Sequence, residues 1–164
     1  MQKILVLLFF LVFTLACGSS DGNNKSETKA EAIPATQGQI YLPSIPMDEI
    51  KILWDNCNQM DYLYYELPIS MSLTDVYSIQ QSLKHVSDTP VPLDVKNKCK
   101  AIARIFYKNS GEDLYEAEIY FSQGCTFFVF FKDGKPAYSN LMTNVGVKYF
   151  NDILEKAQKF QPKQ

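Results

Sequence analysis

Hydrophobic and polar positions alternate most regularly between Lys100 and Asn140. Four short runs there are β-branched or aromatic, and glycines punctuate them at Gly111, Gly124 and Gly134. That spacing predicts an antiparallel meander of four strands. Asn109-Ser110-Gly111 fits a three-residue hairpin loop, which sets Lys108 opposite Glu112 and Arg104 opposite Glu116. Gln123-Gly124 and Asp133-Gly134 fit two-residue loops, which set Phe121 opposite Thr126 and Phe130 opposite Ala137. Alternation with period two then sorts the side chains onto two faces. One face carries Ala101, Ala103, Ile105, Tyr107, Tyr115, Ala117, Ile119, Phe121, Phe128 and Phe130, with Asp113 its only charge, and is the predicted core face. The second carries Arg104, Glu116 and Glu118 among Ile102, Phe106, Leu114, Tyr120, Phe127, Val129, Phe131 and Tyr138.

Helical periodicity flanks the meander. Pro46 can open a helix, with Asp48 and Glu49 at its positive end and Ile50, Leu53, Trp54 and Cys57 as one apolar stripe. Tyr62–Leu67 has strand composition and stops at Pro68, so it reads as an edge strand. Ser72-Leu73-Thr74-Asp75 resembles a helix start. Leu73, Val76, Ile79, Leu83 and Val86 continue from it as an amphipathic stripe. Ser87–Lys98, with Pro90 and Pro92, reads as loop with a short turn near Leu93. Thr143 or Asn144 caps a last helix striped by Phe150, Ile153, Leu154 and Ala157. The order predicts an α+β fold: an antiparallel sheet, the meander plus an edge strand, packed on three helices as a two-layer sandwich.

The first sixteen residues change the picture of where this domain works. Lys3 precedes an unbroken apolar run, Ile4–Phe13, followed by small residues, the pattern of a secretory signal sequence. Thr14-Leu15-Ala16-Cys17 resembles the lipobox of bacterial lipoproteins, with Thr14 where that motif usually has leucine. The resemblance covers about the first 20 residues and implies that Cys17 becomes the lipidated start of a mature, cell-envelope chain. Gly18 stands where aspartate signals inner-membrane retention in enteric bacteria, so the resemblance implies the outer membrane. It leaves the facing side open. Residues 17–39 are small and polar, too poor in apolar surface to fold, and read as a tether. Residues 40–160 form the single globular domain, and 161–164 a frayed tail. The net formal charge is −2, and removing Lys3 with the leader leaves 15 basic against 18 acidic residues, or −3. That balance offers no basic field for nucleic acid.

Three further cysteines fall in the domain. Cys99 continues the series of Ala101 toward the predicted core face, where the stripe holding Cys57 would meet it. Cys125 points with Phe127 to the other face, about 10 Å from Cys99 by strand spacing. These directions favour a Cys57–Cys99 disulfide and leave Cys125 as the free thiol. The spacings match no zinc pattern, and His85, the single histidine, is explained by a helix C-terminus. No metal, cofactor or catalytic motif is read from the chain.

Glu116 and Glu118 are the nearest approach to paired catalytic carboxylates. They lie on one strand opposite Arg104, which favours their charged forms, the wrong state for a general acid. A cross-strand ion pair explains them better. The aromatic second face is less ordinary, since a solvated antiparallel face should be mostly polar. Either the linker, the Ser87–Lys98 loop or a helix covers it, or it is a binding platform built on Arg104, Glu116, Glu118, Tyr120, Phe127 and Tyr138. The reading carried forward is a non-catalytic, lipid-anchored interaction module for an envelope protein. The alternatives are a binder of small ligands or glycans, and a hydrolase using Glu116 and Glu118.

Overall fold

The computed structural model describes residues 38–159. Signal sequence, Cys17, most of the tether and the final tail lie outside the described residues. The chain runs α1 (Met47–Asn56), β1 (Gln59–Tyr64), β2 (Ser70–Leu73), α2 (Val76–Leu83), β3 (Val86–Pro90), α3 (Leu93–Lys96), β4 (Ala101–Asn109), β5 (Glu112–Ser122), β6 (Cys125–Lys132), β7 (Lys135–Met142) and α4 (Asn144–Lys159). Its strands form one seven-stranded antiparallel sheet ordered β2-β1-β4-β5-β6-β7-β3. The fold is the α+β sandwich that the sequence pattern predicts. Leu53 of α1, Ile79 of α2 and Phe150 of α4 pack with Tyr62, Tyr107, Ile119, Phe128 and Phe130 in the main core, all of them almost wholly buried.

Local chemistry starts and stops these elements. Pro46 caps α1 in an extended conformation, and Asp48 and Glu49 sit in its first turn at the positive end of the helix dipole. The Asp75 carboxylate accepts from the Ser78 N–H at 2.8 Å and caps α2. Thr143 Oγ1 accepts from the Gly146 N–H at 3.2 Å at the start of α4. Gly146 also packs against the chain at His85: a Cβ there would lie 2.8 Å from the His85 Cβ and 3.0 Å from its carbonyl oxygen.

Several boundaries differ from the sequence pattern. β1 is not an edge strand; it pairs with β2 on one side and β4 on the other. Ser70–Leu73 is that outer strand rather than a helix start, because Met71 and Leu73 pack toward the main core from an extended backbone. Ser87–Lys98 contains most of β3 and all of α3. His85 is buried, 4.6 Å from the Tyr149 ring, and burial lowers its pKa. Its setting is therefore an apolar contact with α4, not a charged contact with the α2 dipole.

The meander forms as predicted, but three β-bulges change its register. The first hairpin closes on a two-residue turn, with Ser110 at φ 51° and Gly111 at φ 92°. Asn109 thus faces Glu112 and Lys108 faces Asp113, before a bulge at Leu114 sets Arg104 opposite Glu118. A second bulge at Ile102 lies between the pairs Ala101–Tyr120 and Ala103–Ile119. The third, at Ala137, puts Tyr138 opposite Phe130. Ile102, Leu114 and Tyr138, assigned by simple alternation to the second face, all pack against the main core. Ala101 and Asp113 change sides in the opposite direction.

One buried amide ties the N-terminal segment to the sheet. Asn140 has no exposed surface; its Oδ1 accepts from the Ile45 N–H at 3.0 Å and its Nδ2 donates to the Ser87 carbonyl at 2.8 Å. Beside it the Ser139 N–H donates to the Pro43 carbonyl at 2.9 Å, and Tyr41 N–H to the Val91 carbonyl at 2.8 Å. Each buried polar group stripped of its partner costs about 1–3 kcal/mol. Asn140→Ala should therefore lower unfolding free energy by more than about 2 kcal/mol in urea titrations, against Asn144→Ala, an exposed control.

Candidate functional site

The second face of the sheet is divided into a covered half and an open half. Over β6 and the end of β5, Phe127 and Val129 are buried together with Tyr120 and Cys125. Tyr41 and Leu42 from the N-terminal strap, Val91 ahead of α3, and Val95 within α3 make the cover. The Tyr120 and Phe127 rings stack beneath it with centroids 4.4 Å apart and 11° between planes. Lys96 places its ammonium 4.8 Å from the Tyr120 centroid and 5.2 Å from that of Tyr41. Two of the predicted platform residues, Tyr120 and Phe127, are therefore core, and Tyr138 lies on the helix side.

A disulfide pins the cover to the sheet, and its pairing corrects the sequence-based assignment. Cys99 bonds Cys125, with Cα atoms 5.8 Å apart, and Cys57 is the free, buried thiol. The Ile102 bulge is the reason: it turns Ala101 and the preceding Cys99 onto the face that Cys125 already shares with Phe127. Cys57 donates to the Gln59 carbonyl at 3.2 Å, and burial pushes its thiol pKa up, so it is a poor nucleophile.

The open half is centred on Arg104. Its guanidinium lies 3.1 Å from Glu116 Oε2, 3.6 Å from Glu118 Oε1 and 4.6 Å from the Phe131 ring centroid. Glu118 also accepts from the Tyr120 hydroxyl at 2.8 Å, which joins the open half to the covered one. The Tyr120 phenol is pushed above its ordinary pKa by burial and then by that carboxylate, so it remains a donor. The sequence-based reading placed Arg104, Glu116 and Glu118 on one face, and the structure brings all three into contact. Both carboxylates converge on one cation, a geometry for ion pairing and not for sharing a proton.

Leu63, 51% exposed, is paired with Arg104 across β1–β4, and Tyr65, 48% exposed, follows at the end of β1. Sequence patterning does not single out either residue, because an edge strand has no register that aligns its faces with the meander, and that register comes only from the β1–β4 pairing. Partial burial, then the Glu118 carboxylate, raises the Tyr65 pKa. Nearby, Lys108 meets Asp61 at 3.0 Å, and the Ser72 hydroxyl donates to Asp61 at 2.7 Å. Those hydrogen bonds, Ser72 first, hold the Asp61 carboxyl below the usual range.

Three depressions of about 360, 200 and 390 Å³ indent the surface; the first reaches Glu116 and Phe131 of the Arg104 cluster, and none is lined by Tyr120, Phe127 or Tyr138. In the first, Lys132 reaches Glu49 at 2.7 Å and lowers its pKa. Among the described residues, no three His, Cys, Asp or Glu side chains gather as a metal site. Among them too, no helix is long and apolar enough to cross a membrane. No protein-family model, no curated protein and no solved structure matches the chain.

Cys99–Cys125 closes a separation of 26 residues, for which chain entropy predicts about 3–4 kcal/mol. The double variant Cys99→Ser/Cys125→Ser should melt lower than the oxidised protein. Its melting temperature should be insensitive to dithiothreitol, whereas that of the parent should fall on reduction.

Proposed function

We propose that this protein is a cell-envelope lipoprotein whose folded domain is a non-catalytic interaction module, held off the membrane by its tether. The observation that carries the reading is the juxtaposition of exposed Leu63 and Tyr65 with the half-buried Arg104–Glu116–Glu118 cluster on one sheet face. Tyrosine and arginine are the residue types that dominate protein interfaces, through large contact area at small entropic cost. A guanidinium already held between two carboxylates and over an aromatic ring is rigid before any partner arrives. The proposed occupant is an envelope protein, which would lay an apolar residue against Leu63 and Tyr65 and polar groups around the ion pairs. Covered Tyr120 and Phe127 leave less support for the glycan reading, which needs open aromatic rings.

A photo-crosslinking residue placed at Tyr65 in cells should give one discrete adduct with an envelope protein, and Arg104→Glu should abolish it. The same probe at Tyr77, exposed on α2, serves as the control. Identical adducts from both positions, or none from Tyr65, would remove the reading. The anchor is checked separately. The chain should incorporate radioactive palmitate, and Cys17→Ala should eliminate the label and release the protein from membranes.

A further inference from the structure

His85, the single histidine of the chain, sits where the end of α2, the start of β3 and the start of α4 meet. It is 6% exposed, with the ring centroid of Tyr149 at 4.6 Å and that of Phe150 at 6.2 Å. The backbone is held as closely as the ring. The Thr143 N–H donates to the His85 carbonyl at 2.8 Å, and the Thr143 hydroxyl donates to the Lys84 carbonyl at 3.0 Å. Gly146 comes so near that a Cβ on it would collide with His85. The imidazole therefore fills the seam between α4 and the corner joining α2 to β3, and it reaches bulk water only if the two part.

A cation in that seam has no counter-charge. From α4, the titratable neighbour is Tyr149, a phenol that burial pushes above its ordinary range and whose hydroxyl donates to the Met71 sulfur at 3.9 Å. Lys148 beside it is exposed. From α2, Lys84 sends its ammonium to the Gln81 side chain at 3.0 Å and toward the Trp54 ring. The charged residue of β3, Asp88, is exposed and accepts from the Thr89 hydroxyl. None of these acts on the imidazole: burial alone lowers its pKa. An imidazolium here would lose hydration and gain nothing in exchange.

We propose that His85 is an acid-sensitive latch for α4: its protonation weakens the docking of that helix and opens the helix side of the domain. The docked chain holds the proton less tightly than an opened chain does, so protonation favours the open form. The latch is fully engaged above the ordinary histidine value of 6.5 and is lost as pH falls below it, until the docked ring titrates too. The carboxylates of Glu49, Asp61 and Asp75 are all held below their ordinary range, so their contributions are lost only in stronger acid. The latch is independent of the partner surface at Arg104.

The test is hydrogen exchange of the full chain, read by mass spectrometry at about pH 7.5 and about pH 5 and corrected for the intrinsic exchange rate. On acidification, exchange from α4 should rise about three- to tenfold more than exchange from β5 and β6. His85→Phe keeps a ring against Tyr149 but carries no proton, so its α4 should stay equally protected at both pH values. In the parent, the proton NMR titration of the one histidine should have its midpoint below 6.5. A midpoint at or above that value, unchanged α4 exchange in the acidified parent, or an acid-induced rise that persists in His85→Phe would overturn the proposal.

Discussion

Strand β6 is apolar on both sides, and much of the architecture follows from that. Phe128 and Phe130 point into the helices, while Phe127 and Val129 point the other way, and all four are essentially inaccessible to water. Helices α1, α2 and α4 can cover only one side of a sheet. The opposite side is closed by the strap around Tyr41 and Leu42 and by the segment through Val91 and Val95. Burial of large side chains drives this closure, at roughly 25 cal/mol per Å² of apolar surface. A cover of irregular chain has backbone groups to satisfy, and Asn140, Ser139 and the pairing of Tyr41 with Val91 satisfy them.

Because the cover reaches only over β6 and its neighbours, the rest of the second face remains available. The cluster around Arg104 lies at the boundary. Glu118 is held by Arg104 on one side and by the hydroxyl of covered Tyr120 on the other. Ion pairs at such partial exposure contribute modestly to stability. Their clearer consequence is orientation: they keep a planar cation, an aromatic ring and two carboxylates fixed beside the exposed Leu63 and Tyr65. A surface organised before binding loses less conformational freedom when a partner docks.

The meander, its turns and the common side of Arg104, Glu116 and Glu118 were legible because glycine-marked turns and alternation are local properties. The bulges were not. Detecting one from sequence requires an alternation that visibly fails, and here both faces of the sheet are apolar, so Ile102, Leu114 and Tyr138 fit either side. The wrong disulfide assignment came from the same source. Cys99 was assigned a direction by counting from Ala101, and a single extra residue at Ile102 reverses that count. Ser72–Asp75 is ambiguous for a different reason: the end of a short strand followed by a helix capped at Asp75 has the same Ser-x-x-Asp spacing as a helix start at Ser72, and only pairing with β1 distinguishes them.

Sequence alone determined the class of fold, the antiparallel meander, the helix stripes, and the resemblance of the first residues to a lipoprotein leader. These depend on side-chain period, turn chemistry and composition, which act over a few neighbouring positions. Tertiary structure decided which face each bulged residue serves, which cysteines meet, how far the strap covers the aromatic side, and that His85 is buried against α4. Those outcomes depend on groups far apart in the chain competing for the same buried space, and no local pattern records the result of that competition.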